Sequence, residues 1–167
     1  QHRPIYTYGV AGRRAHLPPP DNGIAVLKVD RGGQVTYHGP GQIVLYTLLD
    51  LRRRHMTVRA LVQGLEQAVL DLLSLYDVQA QRRDGAPGVY VADAKIAALG
   101  LRVSRGCSYH GLSLNVDVDL DPFRAIDPCG YPGLVVTRTL DLGVNAGIEI
   151  LGEQLLAAVK AQLSTQA

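Results

Sequence analysis

The apolar positions of the chain follow a helical period in two segments. From Val58 to Tyr76 apolar residues recur every three or four positions, which predicts a long helix with Thr57 as its N-cap. A second helix is predicted over Ile150–Leu163, where one stripe is formed by Leu151, Leu155, Val159 and Leu163.

A period of two is clearest over Ser108–Leu120 and predicts a strand. One face carries Leu112, Leu114, Val116, Val118 and Leu120, and the other carries Ser113, Asn115, Asp117 and Asp119. Lys95–Val103 forms a hairpin with it across the turn Ser104–Cys107. Further strands are predicted over Ile24–Asp30 and Gln42–Asp50. Strands and hairpin arms therefore dominate, which favours an α+β fold with a mixed sheet and helices packed on it.

Glycine and proline mark the connections between these elements. Gly9–Gly23 contains three consecutive prolines and is predicted to be a surface loop. Arg31–Gly41 is a glycine-rich loop that ends in Pro40-Gly41, the central pair typical of a type II turn. Asp84–Gly88 and Asp121–Gly133 are the other predicted loops.

Composition excludes several classes of protein. The chain has 167 residues, of which 47% are hydrophobic and 19% are charged, so it forms one folded domain. A net charge of +2 is too small for a general nucleic-acid binder, and no apolar run is long enough for a transmembrane helix. Two cysteines make no disulfide framework, and no spacing typical of a metal site occurs. The default expectation is a cytoplasmic protein without a metal.

Two reactive side chains stand in unusual surroundings. Lys95 lies in an apolar stretch, so it is either buried and paired with another group or placed at a strand end with its ammonium in solvent. Cys129 lies in a loop rich in proline and glycine, and is either a nucleophile beside a cation or a bystander. Cys107 occupies the hairpin turn and is interpreted as structural.

Other polar groups allow two interpretations each. The segment Arg31–Gln42 is dense in glycine and hydrogen-bond donors, and forms either a ligand loop or a plain connection. His110 is either functional or a satisfied core histidine. Arg52–Arg54 is either a solvated turn or a docking patch for an acidic partner.

Four motifs in register make the chain recognisable. They are DRGGQVTYHGPGQ at Asp30–Gln42, AKIAALGLRVSRG at Ala94–Gly106, YHGLSLNVD at Tyr109–Asp117 and PCG at Pro128–Gly130. Together they resemble the octanoyl-[acyl-carrier-protein]:protein N-octanoyltransferase family of lipoate biosynthesis, from about Pro4 to Gly143. The resemblance implies a single catalytic domain over residues 1–167 with a mixed sheet flanked by helices, as in biotin and lipoate protein ligases. It also implies that a family segment preceding Pro4 is missing here.

The resemblance further implies an acyl transfer in two steps. Cys129 attacks the thioester of octanoyl-acyl carrier protein, and a lysine amine of a second protein then takes the octanoyl group; Lys95 matches the family lysine that favours the thiolate. The substrate-binding positions that follow are Arg31, Gly32, Gly33, Gln34, Val35, Thr36, Tyr37, His38, Ala98, Leu99, Gly100, His110, Gly111, Leu112 and Ser113. Leu99, Leu101 and Leu112 are candidates for an apolar slot. No cofactor is expected, because a thioester is already activated.

The partners implied are octanoyl-acyl carrier protein as donor and, as acceptors, the lipoyl domains of 2-oxoacid dehydrogenases and the glycine cleavage H protein. A monomer that binds neither nucleic acid nor membrane is expected. Two alternatives stay open. One is an ATP-dependent lipoate or biotin ligase, which activates a free acid as its adenylate and does not need Cys129. The other is a non-catalytic module that binds medium-chain acyl groups.

Overall fold

A computed structural model of the protein describes residues 1–19, 21–127 and 133–165. Its strands are β1 (Ile5–Tyr8), β2 (Val26–Lys28), β3 (Val35–His38), β4 (Gln42–Tyr46), β5 (Leu49–Asp50), β6 (Val89–Val91), β7 (Ala94–Ser104) and β8 (Cys107–Asn115). Its α-helices are α1 (Val58–Ser74) and α2 (Ile148–Thr165), and short 3-10 turns occur at Arg14–His16, Asp121–Ala125 and Thr139–Leu142.

The strands form two sheets. The smaller sheet has the order β2-β1-β3, with β1 parallel to β2 and antiparallel to β3. The larger sheet has the order β4-β8-β7-β6, is antiparallel, and is extended by β5, which pairs with β8. One mixed and one antiparallel sheet, with two packed helices, confirm the predicted α+β class.

Both predicted helices are confirmed, and their apolar stripes form the main core. The Thr57 side chain caps α1 by accepting a hydrogen bond of 3.0 Å from the Ala60 amide. The α2 stripe predicted from Leu151 to Leu163 is buried, and it packs with α1 and the larger sheet in one hydrophobic cluster. Each fully buried leucine there contributes about 2 kcal/mol of apolar burial. The helices therefore cover the larger sheet.

The hairpin of β7 and β8 is confirmed, but its second arm is shorter than predicted. The strand ends at Asn115, because the next three amides, those of Val116 to Val118, all donate to the carbonyl of Gly41 at 3.0–3.2 Å. Gly41 has φ +81, and a Cβ there would lie 2.6 Å from the Val118 nitrogen. The Pro40-Gly41 turn is also confirmed, since the Gln42 amide donates to the Gly39 carbonyl at 3.3 Å.

Three predicted boundaries were wrong in ways that shape the site. The predicted loop Arg31–Gly41 contains β3. This strand forms its backbone hydrogen bonds with β1, and the local sequence did not indicate that pairing. The predicted strand Ile24–Asp30 is reduced to the exposed edge strand Val26–Lys28. The predicted strand Gln42–Asp50 is interrupted at Thr47, whose amide donates to the His110 carbonyl at 2.7 Å.

A second, smaller core supports the three-stranded sheet. It contains Tyr6, Val35, Tyr37, Val118, Phe123 and Ile126. In the described part of the chain, no helix has the length and apolar character needed to cross a membrane. Among the same residues, no three His, Cys, Asp or Glu side chains converge as a metal site would require.

Candidate active site

Lys95 is buried, which decides between the two interpretations of this residue. Its side chain is 4% exposed, and the ammonium donates to the Pro87 carbonyl at 3.1 Å. The same nitrogen lies 5.1 Å from the centre of the Tyr90 ring, whose π face attracts a cation. The Lys95 backbone pairs with the segment around Val136: its amide donates to Val135, and its carbonyl accepts from Thr137. A buried ammonium is retained only where other groups compensate its desolvation.

A central cavity of about 240 Å³ is lined by residues of both sheets. Much of its wall is aliphatic, from Ile5, Leu27, Val29, Val35, Val44, Leu99 and Leu112. Polar groups enter at few places, notably Arg31, Thr36, His38, His110 and Ser113. An apolar cavity with a few convergent polar groups is typical of a small-molecule site.

The structure brings most of the predicted substrate-binding residues to this cavity. Those that line it are Arg31, Gly33, Gln34, Val35, Thr36, His38, Ala98, Leu99, Gly100, His110, Gly111, Leu112 and Ser113. Their contact with substrate remains a prediction. The candidate slot residue Leu101 lies instead in a side cavity of about 340 Å³.

Gly32 and Tyr37 do not line the central cavity. Tyr37 alternates with Thr36 and His38 along β3, so its ring points the opposite way and packs against Phe123 at a centroid distance of 5.4 Å. The Gly32 amide donates to the Leu101 carbonyl at 2.8 Å, and the residue lines the side cavity. Tyr37 therefore packs in the smaller hydrophobic core, and Gly32 joins the glycine-rich loop to β7.

Arg31 fixes the glycine-rich loop to β1. Its guanidinium donates to the Thr7 carbonyl at 2.7 Å and to the Thr7 hydroxyl at 3.0 Å, and also bonds the Gly32 carbonyl at 2.9 Å. The side chain is buried, so this cation contributes positive potential to the cavity wall. Gln34 follows on the same loop, and its buried Oε1 has no hydrogen-bond partner among the described residues.

A buried row of polar side chains lies behind the wall at His38. His38 Nδ1 lies 2.7 Å from Gln42 Oε1, and Gln42 Nε2 donates to Asn115 Oδ1 at 2.9 Å. Asn115 Nδ2 donates to the Thr137 carbonyl at 2.9 Å. Desolvation lowers the pKa of His38 to about 4, with a smaller contribution from the Arg31 charge.

A second polar group lies at the rim of the cavity. Asp30 accepts a hydrogen bond of 2.5 Å from the Tyr109 hydroxyl and one of 2.9 Å from His110 Nε2. These bonds, that of Tyr109 first, lower the pKa of the Asp30 carboxyl. His110 has φ +63 inside β8, a strained backbone for a residue other than glycine, and Thr47 holds its carbonyl. The satisfied-histidine interpretation holds in part, since His110 is paired but borders the cavity.

Lys95 borders spaces that adjoin the central cavity. A gap of about 20 Å³ is lined by Lys95 together with Thr36, Ala98 and Ser113 of the cavity wall. The side cavity is lined by Lys95 together with Gly33, Gln34, Leu99 and Gly100, which belong to both cavities. The buried ammonium therefore stands beside the wall that the glycine-rich loop and β7 share.

The prediction that Cys129 is the nucleophile lies outside the described residues. On one side of its segment Asp127 bonds His16 at 2.9 Å. On the other side Val135 and Thr137 are hydrogen-bonded to the backbone of Lys95. Cys129 lies six positions before Val135 in the sequence, a reach of about 20 Å when extended.

The predicted site residues did not include Gln42, Asn115 or Asp30, although Gln42 ends the candidate ligand segment Arg31–Gln42. Asn115 was recognised as part of the polar face of β8, but nothing in the sequence indicates that this face is buried. Asp30 and Gln42 stand at the two ends of the DRGGQVTYHGPGQ segment, which is the signal that could have found them.

The arginine run divides into two parts. Arg52 and Arg53 are exposed, and their amides are held by the Asp50 carboxylate at 3.1 Å. Arg54 is half-buried and donates to the Leu163 carbonyl at 3.2 Å, in the last turn of α2. Arg54 therefore joins the turn to α2, whereas the side chains of Arg52 and Arg53 extend from the exposed turn.

Comparison with known proteins gives one consistent result. Residues 1–159 match the lipoyl protein ligase A/B catalytic domain. The octanoyltransferase of Azoarcus sp. (strain BH72) is 62% identical over 156 residues, which are 93% of this chain and 69% of that protein.

Solved structures agree with this match at the level of the fold. A crystal structure of lipoate-protein ligase A bound with ATP has a TM-score of 0.79 at 17% identity and covers 98% of this chain and 70% of its own. A biotin protein ligase from Aquifex aeolicus has a TM-score of 0.61 at 15% identity, over 75% of this chain and 54% of its own. The chain is thus similar in sequence to octanoyltransferases and in fold to both kinds of ligase.

Proposed function

Because the chain belongs to the lipoyl protein ligase A/B catalytic domain family and, within it, to the octanoyltransferases, we propose that it moves an octanoyl group from octanoyl-acyl carrier protein, through a thioester on Cys129, to a lysine amine of a lipoyl domain. The observation that carries the proposal is the buried ammonium of Lys95 beside an aliphatic cavity. Such a cavity suits a medium-length hydrocarbon chain, and such an ammonium suits a thiolate.

In the first step the Cys129 thiolate attacks the thioester carbonyl of the donor. A carbon–sulfur bond forms to Cys129, and the bond to the carrier thiol breaks. Because the attacking and leaving groups are both thiols, little free energy separates the two thioesters. Lys95 stabilises the negative charge on sulfur before attack. Backbone amides near Gly100 and Gly111 are candidate donors to the oxyanion.

In the second step the neutral ε-amine of the acceptor lysine attacks the Cys129 thioester. The carbon–nitrogen bond of an amide forms, the amine nitrogen loses one proton to a neighbouring base or to solvent, and the thiolate leaves toward the Lys95 ammonium. An amide is more stable than a thioester, so this step drives the transfer. No nucleotide takes part, because the acyl group arrives activated.

Intact-mass spectrometry tests the acyl-enzyme. Wild-type protein incubated with octanoyl-acyl carrier protein, without ATP, should gain one octanoyl group, and Cys129→Ser should gain none. Cys107→Ser is the matched control, because Cys107 is the exposed cysteine of the hairpin turn and should leave the adduct intact. An adduct that persists in Cys129→Ser would move the nucleophile elsewhere.

The same mixture separates the two alternatives. A lipoate or biotin ligase requires ATP and a free acid, and Cys129→Ser would not abolish its transfer. A non-catalytic acyl-binding module would bind octanoate tightly and form no covalent adduct. The 62% identity with an octanoyltransferase, against 17% with the ATP-bound ligase, favours the thioester route.

The pairing of Lys95 with Cys129 has its own test. If the ammonium stabilises the thiolate, iodoacetamide should modify Cys129 rapidly below the ordinary thiol pKa of about 8.5. In Lys95→Met the rate should follow a profile displaced to higher pH, while Lys28→Met, at an exposed lysine of β2, should leave it in place. Identical profiles in wild type and Lys95→Met would remove the pairing.

The family reacts in general with an acyl-carrier donor and lipoyl-domain acceptors, and we propose Arg52 and Arg53 as a steering patch for acidic partners. Arg52→Glu with Arg53→Glu should raise KM several-fold at low salt, and little at high salt. Lys160→Glu, an exposed position of α2, is the control. The acceptor identities, a monomeric state, a cytoplasmic location and one catalytic domain over residues 1–167 remain predictions.

A further inference from the structure

We propose that His38 is the proton acceptor in the second step, and that Gln42 and Asn115 are positioning residues that keep its Nε2 lone pair available in the central cavity. The inference rests on the proposed acyl transfer and extends it to the lysine-acylating half of the reaction. It assigns a role to a row of buried amides that the first step does not use.

The hydrogen bonds fix the tautomer of His38 from one end of the row to the other. The Thr137 carbonyl can only accept, so Asn115 presents its amide nitrogen there and its oxygen to Gln42. Gln42 then donates with its nitrogen and presents Oε1 to His38. His38 must therefore donate from Nδ1, and in the neutral ring Nε2 carries the lone pair.

The burial of the row gives the arrangement its rigidity. Gln42 is 1% exposed and Asn115 is 5% exposed, so a misdirected amide would leave a buried donor or acceptor unsatisfied. Gln42 Nε2 also donates to the Tyr37 carbonyl at 3.4 Å. Buried networks of this kind specify one arrangement when every member is satisfied.

The Nε2 lone pair of His38 is not used by any neighbouring group in the described part of the chain. His38 lines the central cavity, and its Nε2 has no hydrogen-bond partner among the described residues. Desolvation keeps the ring neutral by lowering its pKa to about 4. The charged and titratable groups around it are Arg31 and His2, which lower that pKa further, and Lys95, which borders the gap that Gln42 and Asn115 also line.

The chemistry of the second step supplies the proton. When the neutral amine attacks the Cys129 thioester, its nitrogen becomes positively charged in the tetrahedral intermediate and far more acidic than a free ammonium. That proton passes to His38 Nε2, the carbon–sulfur bond breaks, and the neutral amide and the thiolate remain. His38 then releases the proton to solvent or to the thiolate. The first step has no such requirement, because a thiolate attacks and a thiolate leaves.

Rapid-quench measurements of the two half-reactions test the assignment. In His38→Gln the rate of transfer from preformed octanoyl-enzyme to a lipoyl domain should fall about 10²-fold, the lower end of the contribution of a general base, because a pKa of about 4 makes His38 a weak base. Formation of the octanoyl-enzyme should fall at least tenfold less than the transfer does. His55→Asn, at an exposed turn, is the control. Equal losses in both half-reactions would overturn the proposal.

Gln42→Glu tests the positioning role through pH. A carboxylate hydrogen-bonded to His38 raises the pKa of the ring, so the ring holds a proton at neutral pH. The transfer rate should then acquire an acid limb near neutrality that wild type lacks. A Gln42 with only a packing role would lower the rate equally at every pH.

A measurement on unaltered protein covers the case in which these variants do not fold. Long-range proton–nitrogen NMR of histidine-labelled wild type should show His38 protonated at Nδ1 and bare at Nε2 down to about pH 5, given its pKa of about 4. The opposite tautomer, or a charged ring at pH 6, would contradict the proposal.

These outcomes separate the inference from its premise. If wild-type protein forms no octanoyl adduct, the proposed function fails and the half-reactions cannot be assigned to it. If the adduct forms and His38→Gln transfers it at the wild-type rate, the function stands and the role of His38 is refuted.

Discussion

The two histidines of the central cavity show how a partner decides what an imidazole does. His38 lies in the wall and contacts a neutral amide, whereas His110 lies at the rim and contacts the Asp30 carboxylate. Burial lowers the pKa of His38 to about 4, and its amide partner offers no charge to offset that burial. The Asp30 side chain is 55% exposed, so solvent shares the charge of the rim pair.

The difference separates two kinds of polar site on one apolar cavity. The wall keeps a neutral acceptor, which is useful for a proton that appears only during reaction. The rim keeps the Asp30 carboxylate, which accepts hydrogen bonds from its neighbours and can attract a cation. Each follows from whether the histidine's partner can carry charge.

The largest expected effect comes from Gly111→Ala, which breaks the geometry on which the rim depends. A Cβ at Gly111 would lie 2.0 Å from the Leu45 carbonyl oxygen, so β8 must separate from β4. We expect a loss of about 4 kcal/mol in the free energy of unfolding, at the upper end for an overpacked site. Urea denaturation measures it.

Gly100→Ala is the matched control for that change. Gly100 pairs with Gly111 across β7 and β8, and its new Cβ would lie 2.9 Å from Arg31 Cδ. This is a side-chain carbon, which yields more readily than a strand carbonyl even though Thr7 and Gly32 hold the guanidinium. We expect a loss of about 1 kcal/mol. Equal losses would show that the backbone contact at Gly111 relaxes and does not hold the rim.

The next largest effect is the dependence of the free energy of unfolding on pH that the desolvated His38 side chain imposes. The folded pKa of His38 is about 4 and an unfolded histidine titrates near 6.5, so the unfolded chain binds the extra proton between these values. The contribution of His38 is fully present above pH 6.5 and is lost as pH falls toward 4, by about 3 kcal/mol. His38→Gln should lack this part of the pH dependence.

His55→Asn controls for the loss of a histidine, because His55 is exposed. Denaturation at pH 7, 5.5 and 4.5 of the two variants and wild type gives the comparison. If wild type and His38→Gln lose stability in parallel, His38 is solvated and the wall does not differ from the rim.

Sequence predicted the parts of this fold that local pattern determines. The stripes of α1 and α2 and the alternation in β8 depend on side chains that face one core, so their period is visible along the chain. Strand β3 was missed because four residues between glycines gain their hydrogen bonds from β1, which is about thirty positions away.

The candidate site was predicted by family motif more than by physics. The motifs led to the cavity wall, but they included Tyr37, whose ring the alternation of β3 turns into the second core. Asn115 and Gln42 also lie within the motifs, but they were not chosen as site residues, because a polar face of a strand is ordinarily solvated. Only the three-dimensional pairing of Asn115 with Gln42 shows that this face is closed.

The smallest expected effect tests the charge at the rim. Asp30 raises the pKa of the Tyr109 phenol, first through the hydrogen bond that it accepts and then through its charge. Asp30→Asn keeps an acceptor but removes the charge, so the Tyr109 phenol should ionise at lower pH than in wild type. NMR of ring-labelled tyrosine measures the shift, and Asp21→Asn, at an exposed loop position, should not change it. Tyr109 is half-buried and Asp30 is exposed, so solvent screens part of the charge and a modest displacement is expected. An unchanged pKa of the Tyr109 phenol would mean that solvent screens the Asp30 charge completely. The contrast between the two histidines would then rest on burial alone.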